Sequence, residues 1–386
     1  MPNLTDKLRM IGAEQKPLRA EPPKEAPQGC YRVSERYPAA SFPDARHMSA
    51  GILREIYNLE FPASVGMRDV LFLDTETTGL SRGTGTVAFL VGVGYFTDRH
   101  FVVEQYLMRD YDEEYFVLEE ISRLLQTFPV LATFNGRTFD LPVLENRLLL
   151  NRFGGKLKGV HADVLYPSRR VWKLRLQQCN LQRLEESVLG VSRDDDIPGA
   201  MIPQTYFAYL KNRGFEPIRR IMEHNRQDIA SLAQLFFFLC KLYDKPETAT
   251  EPEDLYSLAR ALHRRGDTVK AKKCYRLSAR DDLRKSAFHA LAEQEKREGN
   301  AQRAVKLYTA MLARGEDAAE VCVALAKLYE HQLKDARQAL LYTRQALLIL
   351  AEPGLSLGEA VQSRRNALQY RYARLRRITD SNPSHP

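Results

Sequence analysis

Val70-Leu71-Phe72-Leu73-Asp74-Thr75-Glu76-Thr77-Thr78-Gly79-Leu80 is the stretch on which the fold turns. Four apolar residues run without a break into polar residues and a glycine, which predicts a buried strand that ends in a turn. Asp74 and Glu76 stand two positions apart, so on a strand they share a face. Both carboxylates would then project together where the sheet ends. Two ionised groups held side by side repel unless a cation or a proton intervenes. The plainer alternative is a solvated strand end.

Outward from this strand the pattern stays α/β. Val87–Phe96 and Phe101–Leu107 read as two further strands joined by a hairpin at Thr97–His100. Val130–Phe134 reads as a fourth, and a short fifth is expected to end near Asp163. Helical spacing covers Asp112–Thr127, Asp140–Arg152, Leu181–Leu189, Gln204–Asn212 and Pro217–Tyr243. Hairpin-linked strands followed by alternating helices and strands indicate a mixed sheet with flanking helices. The apolar run Leu235–Leu242 is read as core, being far too short to span a bilayer. Residues 1–65 are expected to be a flexible extension, with Lys16–Gln28 as a Pro-, Lys- and Glu-rich tether and a short helix within Met48–Leu59. The folded domain is expected over 66–245.

Two more blocks carry acids. Phe134-Asn135-Gly136-Arg137-Thr138-Phe139-Asp140 lies between a strand and a helix. Thr138 or Asp140 could cap that helix; alternatively, Asp140 stands beside the Asp74/Glu76 strand end, where strand C-termini and helix N-termini meet. His224-Asn225-Arg226-Gln227-Asp228 lies on the last helix, with His224 and Asp228 four apart and so on one face. A carboxylate on that largely apolar face needs a partner. Arg220 or Arg226 would make it a salt bridge, and a metal shared with the other blocks would make it a site. Asp163, in HADVLYPSRR, is read as a local cap or the partner of Arg169 or Arg170, with a further ligand as the alternative.

In order, the blocks FLDTETTGL, NGRTFDLPVL and HNRQDIASL resemble the three exonuclease motifs of the DEDD superfamily, built on a ribonuclease H-like fold. The resemblance covers roughly Val70–Tyr243. The whole architecture, with the segment Gly83–Gly94, is similar to YprB-like bacterial proteins, in which such a domain precedes tetratricopeptide repeats. The resemblance implies a metal-dependent 3′→5′ exonuclease acting on single-stranded DNA or RNA through two Mg²⁺ or Mn²⁺ ions. It implies that Asp74 bridges both ions, that Glu76 and Asp228 complete the first, and that Asp140 holds the second. His224 would be the general base, Thr77 would contact the terminal nucleotide, and Asn135 would orient Asp140 or the substrate. In the His-type branch the histidine lies five residues before the last Asp; here the spacing is four, as in the Tyr-type branch. Hard ions prefer oxygen ligands, and the sequence offers no thiolate cluster.

Beyond Pro252 the strand signal stops and a repeat begins. Leu258-Ala259 recurs as Leu291-Ala292 and Leu325-Ala326; Gly266 recurs at Gly299, Ala271 at Ala304 and Tyr275 at Tyr308. Ala339 continues the series. A period of 33 to 35 residues, with small residues on paired helices and a glycine at the turn, is similar to tetratricopeptide repeats. Three units over 252–378 are expected, closed by a helix near Ala360–Ile378. Residues 254–377 carry 25 Lys+Arg against 14 Asp+Glu, so the excess positive charge belongs here. Nucleic acid, or a protein docked by the repeats, is the partner this suggests.

The five cysteines are scattered without CxxC spacing, against a disulfide framework and in keeping with a reducing cytoplasm. The start MPNLTDKLRM lacks the apolar core of a signal peptide, and no apolar run reaches 18 residues, so no membrane segment is expected. GLSRGTGT is Gly-rich but lacks the Gly-Lys-Ser/Thr ending of a P-loop and is read as a turn or loop beside the carboxylates. Against the exonuclease stands one rival: a non-catalytic scaffold that binds nucleic acid and docks proteins.

Overall fold

The computed structural model describes residues 29–79, 85–154, 158–193, 195–280, 282–351 and 359–381. The tether read at 16–28 and most of GLSRGTGT lie outside the described residues. The chain divides between Ala249 and Thr250 into two compact units.

The first unit is a six-stranded mixed sheet. Its strands are β1 (Tyr31–Pro38), β2 (Val70–Thr77), β3 (Ala88–Phe96), β4 (His100–Leu107), β5 (Val130–Thr133) and β6 (Val160–Asp163), in the order β1-β4-β3-β2-β5-β6. The β2-β3-β4 and β1-β4 pairings are antiparallel, while β5 and β6 run parallel to β2. Val70–Leu73 are all fully buried because both faces of the sheet are covered. Leu71 and Leu73 join a core with Leu118, Ile121 and Leu144, from helices α2 (Glu114–Thr127) and α3 (Asp140–Leu150). Phe72, between them in sequence, meets Phe236 and Phe237 edge-on.

Two elements escaped the sequence reading. Residues 31–65 are not an extension: β1 forms the sheet edge on β4, and α1 (Ala50–Tyr57) packs on the last long helix. The alternation was present in Tyr31, Val33 and Tyr37, but Arg32, Glu35 and Arg36 diluted it. Those charges are satisfied by partners remote in sequence, Arg32 by Glu104 and Glu35 by Arg226. Helix α4 (Leu165–Leu176) was also missed, hidden by Pro167 and four cationic residues. Pro167 sits in the first turn, where no intrahelical donor is lost, and Val171 and Trp172 are buried.

After the short α5 (Leu181–Leu184) and α6 (Ile202–Asn212), helix α7 (Glu216–Asp244) crosses β2, β3 and β4. Leu235–Leu242 supplies core, as expected, with Leu235, Phe236, Phe237 and Leu239 all buried.

The second unit is all helical: α8 (Pro252–Arg265), α9 (Thr268–Ser278), α10 (Leu283–Arg297), α11 (Ala301–Leu312), α12 (Ala318–His331), α13 (Ala336–Ile349) and α14 (Glu359–Ser381). The helices pair in sequence, α8 with α9, α10 with α11 and α12 with α13, and α14 packs on α13. Each Leu-Ala pair of the repeat is buried, and Ala271, Ala304 and Ala339 are completely so. Gly266 and Gly299 turn the chain with φ of +87° and +80°. In the third pair Lys334 takes the left-handed position, at φ +57°. Among the described residues no helix is long and apolar enough to cross a membrane.

Candidate active site

The acids meet because β2 outruns its neighbour. Parallel pairing with β5 ends at Phe72↔Ala132, whereas antiparallel pairing with β3 continues to Thr77, with a register shift after Glu76. The backbone of Thr75 is therefore free on the β5 side. The Asp140 carboxylate fills the gap: its Oδ1 accepts from the Thr75 N–H at 3.0 Å and from the Thr75 hydroxyl at 2.7 Å. Asp140 is thus not a helix cap, nor is Thr138, whose hydroxyl donates to Asn135 Oδ1 at 2.8 Å. Asp163 is the local cap expected of it, accepting from the N–H groups of Asn135, Arg137 and Leu165 and holding the loop that delivers Asp140.

Asp74 is tied to α7. Asn225 Nδ2 donates to Asp74 Oδ2 at 2.9 Å, and Asn225 Oδ1 accepts from Gln105 at 2.9 Å. Gln105 also donates to the Met222 carbonyl at 2.7 Å, so a buried amide chain runs from β4 through α7 to the carboxylate. Glycine makes this approach possible: a Cβ at Gly92 would lie 2.1 Å from Asn225 Oδ1, and one at Gly94 would lie 2.6 Å from Ile229 Cγ2.

His224 and Asp228 share one face of α7, as their spacing requires. His224 Nε2 lies 3.6 Å from Asp228 Oδ2 and 3.9 Å from Glu76 Oε1, while Nδ1 lies 2.7 Å from Asp196 Oδ1. The partner of Asp228 is neither Arg220, which pairs with Asp195, nor Arg226, which pairs with Glu35 and Glu223. It is Arg193, which also binds the fully buried Glu185 through two nitrogens. Arg193, Glu185, Asp196, Asn225 and Thr75 were given no role in the sequence reading. The signal for Arg193 and Asp196 lay in SRDDDIPG, a charged stretch with no periodicity.

The electrostatics are those of crowded negative charge. Burial, then the charges of Asp228, Asp140 and Glu76, push Asp74 well above the usual carboxylate range, against the Asn225 hydrogen bond. Burial pushes Glu76 up to about 8, with Asp228 and Asp140 adding to it and His224 and Arg193 opposing. Burial raises Asp140 to about 6, overriding the Thr75 hydrogen bonds. Burial alone would lower His224; the Asp196 hydrogen bond and the charges of Asp228 and Glu76 override it and raise the imidazole to about 9.

Asp74 and Asp228 open onto a cleft of about 680 Å³, lined also by Asn135, Arg169 and Lys173. Asn135 faces this cleft rather than supporting Asp140, and the Thr77 hydroxyl donates to the Gly79 carbonyl at 2.8 Å. Hard oxygen donors that raise one another's proton affinity suit a divalent cation. Among the described residues no three acidic, His or Cys side chains form a ready-made metal cage. Asp228 faces Arg193 instead, and would have to turn from it to join the other acids.

The family RNase_H_2, of the RNase_H superfamily, matches residues 71–240. That stretch is similar to RNase H-superfamily domains. It contains β2 from its second residue, β3 to β6, and Asp74, Glu76, Asp140 and Asp228. The chain is also 28% identical over 289 residues to "Uncharacterized protein YprB" of Bacillus subtilis (strain 168), covering 72% of this chain and 69% of that one. Among solved structures it is similar to the family B DNA polymerase from the hyperthermophilic archaeon Pyrobaculum calidifontis, at 15% identity and a TM-score of 0.36. That match covers 51% of this chain but only 29% of the polymerase.

Proposed function

We propose that the first unit is a metal-dependent 3′→5′ exonuclease that hydrolyses phosphodiester bonds of single-stranded DNA or RNA. The observation that carries this reading is the gathering of Asp74, Glu76, Asp140 and Asp228 from separate segments at one sheet end beside an open cleft, where burial and neighbouring charge push Asp74 and Glu76 up. Acids facing a phosphate backbone repel it unless cations intervene, so an inert binder has little use for them.

Mg²⁺ or Mn²⁺, held by Asp74, Glu76, Asp140 and Asp228, would supply the charge that stabilises the attacking and leaving oxygens, two such ions being the usual arrangement for this chemistry. The chain's own groups do the rest. Thr75 fixes Asp140 and Asn225 fixes Asp74. Arg169 and Lys173, which also line the cleft, attract the phosphate backbone into it. His224 Nε2 faces the acids and takes a proton from the attacking water when the imidazole, raised to about 9 by the Asp196 hydrogen bond and the charges of Asp228 and Glu76, is in its neutral form. The basic helical unit assists by holding substrate or a protein partner.

A 3′-labelled single-stranded oligonucleotide, incubated with Mg²⁺ or Mn²⁺, tests this. Release of labelled nucleoside 5′-monophosphate, abolished in Asp74→Asn and Asp228→Asn, is the expected result. Intact oligonucleotide held tightly by all three proteins would favour a binding scaffold instead. The observation on that side is the Arg193–Asp228 pair, which leaves one acid of the four already neutralised.

A further inference from the structure

We propose that helix α4 is the bed of a single-strand track: the nucleic acid lies along it, and Arg169 and Lys173 each hold one backbone phosphate on the side away from the cleaved end. This rests on the nuclease reading above and deepens it by naming how the strand is held.

The observation is a stripe that runs the length of the helix. Leu165, Arg169, Lys173 and Gln177 recur at every fourth position, so they share one face. All four line the cleft that Asp74 and Asp228 also line. Each step advances about 6 Å along the axis, and the whole stripe covers about 18 Å. The cleft is therefore drawn out along α4. Its direction is set at the start of the helix, where Asp163 accepts from the Leu165 N–H and also holds the loop that delivers Asp140. Leu165 thus lies at the end nearest the acids, and Arg169, Lys173 and Gln177 recede from it turn by turn.

The cations of α4 are not alike. Arg170 donates to the Ile56 carbonyl at 2.7 Å and is spent on the fold. Arg169 and Lys173 are exposed, and among the described residues neither is paired with a carboxylate, although two acids line the same cleft. Like charges one turn apart disfavour a helix, and nothing in the fold compensates them; a polyanion does. Their spacing of about 6 Å along the axis is close to the interval between neighbouring phosphates of an extended strand. A single row of cations meets one backbone. Contacts of this kind carry no sequence information, so the track selects substrate by strandedness and length.

The far end of the track is shaped by a strained turn. Gln177 has φ +61°, and the Gln178 N–H donates to the Leu176 carbonyl at 2.6 Å, a γ-turn of the rare positive-φ form. The turn brings Gln178 and Asn180 onto the cleft. Strain at a non-glycine residue gathers at ligand clamps.

The test uses full-length protein with Mg²⁺ and single-stranded oligonucleotides, as DNA and as RNA, each carrying one uncharged methylphosphonate at successive positions from the 3′ end. Arg169→Gln and Lys173→Gln remove charge from exposed helical positions and keep a good helix former, so the fold is spared. Each is expected to raise KM about three- to tenfold and to flatten its salt slope by about 0.7. One methylphosphonate position should lose its effect in Lys173→Gln and a neighbouring position in Arg169→Gln. That coupling in DNA, in RNA or in both supports the track; its absence at every position in both polymers overturns it. Arg170→Gln loses the same charge from the same helix and should leave the salt slope as it was; a flattening equal to that of Lys173→Gln would reduce the effect to net charge and overturn the track. Fluorescence anisotropy of the same oligonucleotides on Asp74→Asn protein, with and without the Gln substitutions, separates the two readings. Intact strands with the wild type, together with coupling in anisotropy, sink the nuclease reading and leave the track standing. Cleavage by the wild type without coupling sinks only the track.

Discussion

Gly92→Ala tests how Asp74 is held, because it perturbs that support without touching an acid. The added Cβ would lie 2.1 Å from Asn225 Oδ1, 2.8 Å from Cγ and 2.9 Å from Nδ2, where ordinary contact begins at 3.4 Å. Asn225 must therefore retreat by more than an ångström, and it has no exposed surface into which to retreat. Overpacking of this kind costs about 1–3 kcal/mol. Retreat also breaks the 2.9 Å hydrogen bond to Asp74, worth about 1.5–3 kcal/mol to a charged group. Alanine's advantage over glycine in a strand returns about 0.5–1 kcal/mol, so a net loss of about 2–5 kcal/mol is expected. Trp172, the sequence's one tryptophan, is buried in the first unit, so urea unfolding followed by its fluorescence reports that unit. Asn225→Ala removes the atoms that clash; the double variant should therefore cost little more than Asn225→Ala alone, a coupling of about 2 kcal/mol. Gly94→Ala meets Ile229 and Phe101 instead and should show no such coupling. A loss below about 0.5 kcal/mol, or strict additivity of Gly92→Ala with Asn225→Ala, would refute the close approach of α7 to β3.

Asp74→Asn removes a buried charge that its neighbours oppose, so it should raise the metal-free melting temperature while lowering exonuclease activity by about 10³-fold or more, roughly 4 kcal/mol of transition-state stabilisation; calorimetry in EDTA beside the nuclease assay checks both signs. Without metal, the folded protein keeps protons that the unfolded chain releases: Glu76 until about 8 rather than 4.5, and His224 until about 9 rather than 6.5. Metal-free stability should therefore fall as pH rises from about 5 to 9, and Mg²⁺ or Mn²⁺ should raise the melting temperature more at pH 8 than at pH 6; thermal melts across that range, with and without metal, would show a flat or opposite trend if the acids were not crowded. If the basic helical unit contacts backbone phosphate, removing residues 250–386 should weaken single-strand binding and flatten its salt slope by about 0.7 per lost contact; an unchanged slope in a salt titration would assign the repeats to a protein partner.

The sheet and the helical repeat were legible because both are written in periodicity. Val70–Leu73 is apolar without alternation since both sheet faces are covered, and the recurrence of Leu-Ala and Tyr at 33 to 34 residues marks buried contacts in successive helix pairs, with Gly266 and Gly299 at the turns between the paired helices. β1 was lost because its charges are satisfied by Glu104 on the neighbouring β4 and by Arg226 on α7, and such partners leave no local trace. The same physics explains what was seen and unseen at the site. Asp74 with Glu76, and His224 with Asp228, are pairs within one element, so spacing alone assigns each pair to one face. What each acid touches is a matter between elements. Asp140 was placed at the right end of the sheet, yet its partner Thr75 follows only from where β5 stops pairing. Asp228 was given the two arginines nearest in sequence, but on a helix Arg226 and Arg220 point elsewhere, and the cation came from Arg193, in a segment with no period to read. A buried carboxylate announces that it needs positive charge; its position on a helix does not say whether a distant arginine or a metal supplies it. On the proposed reading the two would compete for the same oxygens of Asp228, and metal affinity measured with and without the Arg193 guanidinium is the quantity that ranks them.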